Sequence, residues 1–264
     1  MNKVVEYIGP DANGLFQIIL NNPPVNALSS ELIKELSNIL SVARANDNIK
    51  LVMIIGNGKH FSAGADLKER SAMSKNDTLG FLTNINRCFD IIENLQVPTV
   101  CLINGATLGG GAELALCCDI VATVASSKAL SHIDKYHYNK DHKIGFPEVG
   151  LGIIPGAGGT YRIFKRMSQG VAKHWILSGR KFSLEEAFSD GFVDFNFQNS
   201  EDFNSFIDSF LSNPRLSLVA AKASMNKSYL ELDRKKQRSI ELEEYKKTLG
   251  SPERKEALGK YKRK

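Results

Sequence analysis

The stretch Asn104-Gly-Ala-Thr-Leu-Gly-Gly-Gly-Ala-Glu-Leu-Ala-Leu, residues 104–116, follows an apolar run of strand length and opens a helix near Gly110. Glycines at such a junction let another group approach the backbone, and the first N–H groups of a helix have no partner within it. These donors and the helix dipole favour an anion, or an oxygen that gains negative charge during a reaction. Glu113 lies three residues after Gly110, on the same helical face. The stretch therefore predicts a hydrogen-bond donor and a carboxylate that converge.

Around this stretch, strand and helix patterns alternate through the first two thirds of the chain. Apolar runs of strand length are bounded by turn residues, and the first two predict a hairpin; the runs are 4–8, 15–20, 51–55, 99–103 and 120–124. Amphipathic helices are predicted after Ser29, which suits an N-cap, and over 81–92. This alternation indicates an α/β fold with much parallel pairing.

The pattern becomes helical after about residue 158. Ser183 and Glu186 form a predicted capping box at the start of one helix. Asn213 and Pro214 then interrupt the chain before two long helices. We expect a core over residues 1–212 and a helical C-terminal subdomain over 213–264.

Two further stretches carry candidate functional groups. The first, His60-Phe-Ser-Ala-Gly-Ala-Asp-Leu-Lys-Glu-Arg, exposes backbone N–H groups between Ser62 and Ala65, directly before a helix that starts at Asp66. The second runs from Gly145 through Thr160 and contains Glu148, between a proline and an apolar run. Burial there would raise the pKa of this carboxyl and make it a proton donor near neutrality, whereas an exposed loop position would leave it ordinary.

The composition is that of a soluble globular protein, with 42% hydrophobic and 24% charged residues in a chain of 264. No apolar run approaches the ~18 to 20 residues that a membrane-spanning helix needs. The N-terminal residues lack the pattern of a secretory signal. We therefore expect a cytoplasmic protein without a membrane segment, and with reduced, mostly buried cysteines.

Metal and nucleic-acid sites are not expected. His132, His137 and His142 recur every five residues, so they do not share one helical face as metal ligands would. Residues 222–264 hold 14 Lys or Arg against 7 Asp or Glu, within a net charge of +5. This basic end could meet nucleic acid, phosphate or an acidic subunit, or simply be a solvated helical surface, and no RNA-binding motif accompanies it.

Taken together, five stretches in order resemble the crotonase superfamily, the enoyl-CoA hydratase and isomerase fold. They cover nearly the whole chain and are Asn22-Pro-Pro-Val-Asn-Ala-Leu, Ser62-Ala-Gly-Ala-Asp-Leu-Lys, 104–113, Cys118-Asp-Ile and 146–160. The resemblance implies a crotonase-like spiral of β-β-α turns, an α/β fold, with a helical C-terminal subdomain. It also implies assembly as a homotrimer, often paired into a hexamer, with 213–264 as the trimerisation region.

The resemblance further implies an enoyl-CoA hydratase, which adds water across the 2,3 double bond of a 2-enoyl-CoA thioester. The N–H groups of Ala65 and Gly110 would form the oxyanion hole for the thioester carbonyl. Glu113 and Glu148 would act on one water, Glu113 activating it and Glu148 delivering the proton, although two coupled acids can exchange roles. The chemistry requires neither a metal nor a redox cofactor.

The resemblance also implies that coenzyme A is part of the substrate and contacts the loop after the third strand. The residues assigned to it are Ala63, Ala65, Asp66, Leu67 and Lys68, with Lys68 near phosphate. Three alternatives remain: a methylglutaconyl-CoA-type branched hydratase, an enoyl-CoA isomerase and an RNA-binding side function. The chain also has roughly ten more residues than the usual family pattern before Phe146. This insertion, 127–143, is expected to form a lip over the acyl pocket, with a surface insertion as the alternative.

Overall fold

A computed structural model describes residues 3–125 and 136–229, with positions 235, 242, 246, 255, 258 and 259 beyond them. Its strands are β1 (Val5–Ile8), β2 (Leu15–Leu20), β3 (Leu51–Gly56), β4 (Thr99–Leu102), β5 (Thr107–Leu108), β6 (Ile120–Val124), β7 (Ile144–Gly145), β8 (Lys181–Phe182) and β9 (Phe195–Phe197). Its α-helices are α1 (Ser30–Arg44), α2 (Leu67–Ala72), α3 (Lys75–Glu93), α4 (Gly110–Ala115), α5 (Gly159–Arg162), α6 (Gln169–Leu177), α7 (Leu184–Ser189), α8 (Ser200–Leu211) and α9 (Arg215–Tyr229). The short 3-10 helices are Pro147–Leu151 and Ile163–Lys165.

A mixed sheet forms the centre of the fold. Its strand order is β1-β2-β3-β4-β6-β9, and every neighbouring pair is parallel except the β1–β2 hairpin. The six residues of β3 are all buried, as a strand covered on both faces requires. Helices α1 and α3 contribute to the apolar layer on one face, and α8 contributes to the layer on the other. The predicted hairpin and the α/β class are confirmed.

Local sequence signals determine where the helices begin. Ser29 Oγ accepts from the Leu32 N–H at the start of α1, whose apolar stripe faces the core. Helix α3 begins at Lys75, six residues before the predicted start, because Ser74 and Asp77 form a capping box there. The predicted box of Ser183 likewise begins α7.

The prediction of a nearly all-helical chain after residue 158 is wrong in one respect. Strand β9 extends the main sheet beside β6, with Phe195 opposite Ala122. The two-residue strand β8 pairs with β7 in a second, smaller sheet with β5. Strands of two or three residues are too short for a period-two pattern to be distinguished from a loop.

The start of the predicted C-terminal subdomain is α9, which is anchored to the core. Lys222 is buried, donates to the Val97 carbonyl at 3.0 Å and pairs with Asp119 at 2.6 Å. Arg215 donates to the Ile49 carbonyl at 2.9 Å. Beyond residue 229, the rest of the predicted subdomain lies largely outside the described residues. Among the helices in the described ranges, none is long and apolar enough to cross a membrane.

Candidate active site

A cleft of about 740 Å³, its open mouth included, lies where the loop before α2 meets the start of α4. Helix α3 and the loop after the first 3-10 helix form its apolar walls. The lining residues that bear on the chemistry are Ala63, Ala65, Arg70, Gly110, Glu113 and Glu148. The structure therefore brings the four predicted oxyanion-hole and catalytic residues to one cleft.

The backbone amides of Ala65 and Gly110 lie close together in this cleft. A parallel β-bridge joins Leu28 and Ala65. In it, the Leu28 N–H donates to the Gly64 carbonyl and the Asp66 N–H donates to the Leu28 carbonyl, so the Ala65 N–H takes no part. Gly110 is the first residue of α4, where a backbone N–H has no acceptor inside the helix. A Cβ placed on Gly110 would lie 3.6 Å from the Ala65 nitrogen. Two donors are thus available side by side for one oxygen.

Two glycines permit this close approach. Gly64 has a φ of 89°, and a Cβ there would lie 2.5 Å from the Leu108 oxygen and 3.1 Å from the Gly110 nitrogen. Gly109 has a φ of 50°, and a Cβ there would lie 2.8 Å from Oε1 of Glu148. The positive φ strains a side chain at either position, and at Gly64 the contact with the Leu108 backbone oxygen also leaves no room for one.

Glu113 is buried, with 3% of its surface exposed, on the first turn of α4. Its Oε1 accepts hydrogen bonds from the N–H groups of Ala157 at 2.8 Å and Gly159 at 2.9 Å. Burial raises the pKa of this carboxyl, while the two amides and the guanidinium groups of Arg162 and Arg70 oppose the rise. A carboxylate whose pKa is raised in this way is a stronger base than one in water.

Glu148 lies in the first turn of the 3-10 helix Pro147–Leu151 and is 8% exposed. Its carboxylate packs against Gly109, directly before the Gly110 amide. The alternative of an exposed loop glutamate is therefore wrong, because the helix turns the side chain into the cleft. A raised pKa for this residue stays a prediction.

The residues assigned to coenzyme A divide into two groups. Ala63, Ala65 and Leu67 line the cleft. Asp66 instead caps α2, accepting from the N–H groups of Lys68 at 2.9 Å and Glu69 at 3.0 Å. The side chain of Lys68 is exposed and lies outside the cleft lining. This cap fixes the point where the loop ends and α2 begins, and so it positions the amide of Ala65, the residue directly before Asp66.

The insertion 127–143 is described only from residue 136 onward, and this part does not line the cleft. Tyr136 is buried, and its hydroxyl accepts from the Val124 N–H at 3.1 Å. Asn139 donates its N–H to the Asn104 carbonyl at 2.9 Å. These bonds hold the segment beside the ends of β4 and β6, so the lip prediction is wrong for residues 136–143. Its remaining part, 126–135, lies outside the described residues.

Several groups at the site were not found by sequence reasoning. The amides of Ala157 and Gly159 belong to the glycine-rich stretch 145–160, in which the sequence indicates only Glu148 as a functional group. Arg70 is buried at 5% exposure in the cleft wall, with its Cζ 4.8 Å from the ring centroid of Phe81. Leu258, in the C-terminal region, also lines the cleft. Long-range packing creates these contacts, and no local spacing encodes them.

The prediction of reduced, mostly buried cysteines agrees with the structure, in which all four are free and buried. Burial raises the pKa of Cys88 to about 12, which makes this thiol inert at neutral pH. In the described part of the chain, no three His, Cys, Asp or Glu side chains group in a way that could hold a metal ion.

Comparison with known proteins gives consistent matches along the chain. A family model described as Enoyl-CoA hydratase/isomerase matches residues 11–264. The chain is 35% identical to the putative enoyl-CoA hydratase/isomerase YngF of Bacillus subtilis (strain 168), over 91% of this chain and 88% of that protein. It is 33% identical to the mitochondrial methylglutaconyl-CoA hydratase of Homo sapiens, over 90% of this chain and 68% of that protein. The crystal structure of enoyl-CoA hydratase from Bacillus anthracis superposes with a TM-score of 0.76 at 30% identity, covering 98% of this chain and 96% of that one.

Proposed function

This chain belongs to the enoyl-CoA hydratase/isomerase family, and we propose that it adds water across the 2,3 double bond of a 2-enoyl-CoA thioester. The product is a 3-hydroxyacyl-CoA, and the reaction is reversible. One observation carries the proposal: two adjacent backbone amides and two buried carboxylates line the same cleft.

The two amides supply the electrostatic part of the reaction. When water attacks C3 of the enoyl thioester, negative charge develops on the thioester oxygen as an enolate forms. The N–H groups of Ala65 and Gly110 donate to that oxygen, and the first turn of α4 adds its dipole. These interactions strengthen as charge develops, so they stabilise the transition state more than the bound substrate.

The two carboxylates supply the proton transfers. Glu113, held through Oε1, keeps Oε2 to orient a water and take its proton as the oxygen bonds to C3. Glu148 delivers a proton to C2 of the enolate. The carboxyls titrate as a pair if they share the water, so the two roles can be exchanged between them. An isomerase reaction, which moves a proton along the acyl chain, would leave one of these carboxylates without a task.

Coenzyme A enters as part of the substrate. Backbone groups of Ala63 and Leu67 meet the adenine end, and the exposed Lys68 ammonium lies near phosphate in this proposal. Amides and carboxylates supply every charge and proton that the hydration needs, so we propose that it uses no metal or redox cofactor.

A second candidate substrate has a carboxylate on its acyl chain, as methylglutaconyl-CoA has. The observation that favours it is the buried Arg70 guanidinium in the cleft wall, beside the apolar side chain of Phe81 from α3. A buried guanidinium forms strong bidentate contacts with carboxylates. This candidate shares the same hydration chemistry and differs only in the acyl group.

The proposal extends to the assembly and the location of the protein. We propose a homotrimer or a hexamer assembled through residues 213–264 and located in the cytoplasm. In support, α9 exposes 77% of Leu216 and 71% of Met225, large apolar side chains that a neighbouring subunit would cover. Light scattering of the purified protein measures the mass directly.

The decisive experiment follows the loss of enoyl-thioester absorbance with crotonyl-CoA, a longer-chain enoyl-CoA and methylglutaconyl-CoA. We expect hydration of at least one of them, and the absence of turnover with all three would refute the proposal. Arg70→Met should lower kcat/KM for methylglutaconyl-CoA more than for crotonyl-CoA if the second candidate is correct. A salt titration of RNA binding tests the remaining alternative, since phosphate contacts weaken steeply with salt.

A further inference from the structure

The loop that holds Glu113 is itself held by helix α3. Ala157 and Gly159 donate their N–H groups to Glu113, and the carbonyls of the same loop accept from two buried side chains. Asn86 Nδ2 donates to the Gly156 carbonyl at 2.8 Å, and Arg162 Nη1 donates to the Ala157 carbonyl at 2.7 Å. The Gly156 carbonyl belongs to the same peptide group as the Ala157 N–H, and the Ala157 carbonyl lies one peptide unit before the Gly159 N–H. Each bond therefore acts on an amide that contacts the candidate base.

Arg162 is anchored at its other end by two carboxylates of α3. Its Nη2 lies 3.0 Å from Asp90 Oδ1, and its Nε lies 2.9 Å from Glu93 Oε2. The side chain is 1% exposed, and Gly158 has a φ of 102° at a point where any side chain would overlap the guanidinium. The guanidinium reaches both α3 and the loop because its Nε and Nη2 donate to the helix while its Nη1 donates to the loop.

Stability alone is a weak reason for this arrangement. Removing a charged group from water costs about as much as a buried pair regains, so apolar side chains in the same space often stabilise a fold equally well. Neither Arg162 nor Asn86 is among the described residues that line the cleft. Their shared feature is that each bonds the loop whose amides orient Glu113.

We propose that Arg162 and Asn86 are positioning residues, which fix the loop 156–159 against α3. The amides of this loop then hold the Glu113 carboxylate in the orientation that it needs to accept a proton from the reacting water. The proposal rests on the proposed hydratase function and adds the residues that set the geometry of its base. A displacement of about 1 Å at a catalytic group is enough to lower the rate by roughly 10²-fold.

Arg162 has an electrostatic effect that Asn86 lacks. The charged and titratable groups facing Glu113 are Arg162 from α5, Arg70 from α2, Glu148 from the 3-10 helix and Cys117 from the turn after α4. The positive charge of Arg162 lowers the pKa of Glu113 against the effect of burial. Its loss should raise that pKa, so the base would ionise only at higher pH. The acidic limb of the pH profile of kcat/KM should then move to higher pH.

The test compares Arg162→Lys, Arg162→Met and Asn86→Leu with Arg166→Met as the matched control. Arg166 lies four residues after Arg162, pairs with Asp194 at 2.5 Å and donates to the Cys118 carbonyl at 2.6 Å, away from the loop. Kinetics with the substrate that the wild type hydrates, at a series of pH values, give kcat, KM and the acidic limb. Urea denaturation gives the stability of each variant.

We expect kcat to fall at least ~10-fold in the three loop-directed variants, with KM within about threefold of wild type because the cleft lining is unchanged. The acidic limb should move to higher pH in Arg162→Met alone, since Lys keeps the charge and Asn86 carries none. The control variant Arg166→Met should keep the wild-type kcat and the wild-type acidic limb of the pH profile.

Wild-type kcat in a folded Arg162→Lys or Asn86→Leu protein would overturn the proposal. If Arg162→Met does not fold, Asn86→Leu still decides, because it replaces an amide with an apolar group of similar shape. Failure of Asn86→Leu to fold, with a folded control, would assign the contacts to stability and also overturn the proposal. An inactive wild type would instead refute the proposed function itself.

Discussion

Two substitutions of Glu113 separate its hydrogen-bonding role from its chemical role. Glu113→Gln keeps a side-chain oxygen that can accept from the Ala157 and Gly159 amides, but it removes the base. Glu113→Leu replaces the carboxylate with a branched apolar end one atom nearer the backbone, and it removes both the base and the acceptor. The contrast is sharp because Oε1 alone accepts the two backbone bonds, at 2.8 and 2.9 Å.

The expected magnitudes follow from the number of amides involved. Each buried N–H left without an acceptor costs about 1 to 3 kcal/mol, so Glu113→Leu should lower the free energy of unfolding by about 2 to 6 kcal/mol. Burial disfavours the charged form of Glu113 and so raises its pKa. Replacing this carboxylate with an uncharged side chain removes that unfavourable energy and offsets part of the cost at neutral pH. Glu113→Gln should stay within ~1 kcal/mol of wild type. Both should lower kcat at least ~10²-fold, which is about 2.7 kcal/mol of transition-state stabilisation.

Urea denaturation at pH 7 and enoyl-thioester absorbance measure the two quantities in parallel. Equal stability of the Leu and Gln variants would refute the hydrogen-bond account of this carboxylate. Near-normal turnover by the Gln variant would remove Glu113 from the mechanism. As a control for an intact cleft, titration calorimetry measures substrate binding by the Gln variant.

Three more outcomes are expected. Glu148→Gln should keep the fold and lower hydration at least ~10²-fold, and wild-type turnover would exclude it as the proton donor. Gly110→Pro should fold, since proline suits the first helical position, and its kcat should fall about 10²- to 10³-fold because the N–H is missing. Gly110→Ala keeps the N–H and places its Cβ 3.0 Å from Leu28 Cδ1, so its kcat should fall far less. Equal rates for the two variants would refute the oxyanion hole. Burial lowers the pKa of His142 from 6.5 to about 4, so the neutral ring contributes stability that is fully present above pH 6.5 and is lost as the pH falls toward 4. That contribution is on the order of 3 kcal/mol, and His142→Phe should flatten the dependence of unfolding free energy on pH over this window, whereas an unchanged slope would contradict it.

The two carboxylates show where sequence reasoning succeeds and where it stops. Gly110 and Glu113 are three residues apart in one helix, so their common face follows from helical geometry alone. Glu148 is remote in sequence: its neighbours in the chain made it a candidate proton donor, but only the resemblance paired it with Glu113. Its place beside Gly109 depends on the pairing of β5 with β7, which sets Leu108 opposite Gly145.

The crotonase fold and the family, both expected from the five motifs, are confirmed by the match over residues 11–264 and by the superposition on a solved enoyl-CoA hydratase. That agreement rests on motifs dense in glycine and proline, whose backbone requirements are specific to a few positions. The insertion 127–143 has no such motif. Its described part accordingly lies away from the position that its polarity and length suggested.

By itself, the sequence determined the hairpin, the helix α1 with its Ser29 cap, the buried strand β3 and the donor-carboxylate pair at the start of α4. Each depends on residues within about one turn or one strand of each other, so local periodicity and capping chemistry encode them. Only the tertiary structure decided that Arg162 would join Asp90 and Glu93 to the loop that orients Glu113. Contacts between residues some 70 positions apart arise from how whole elements pack, and no pattern along the chain records which side chains will meet there.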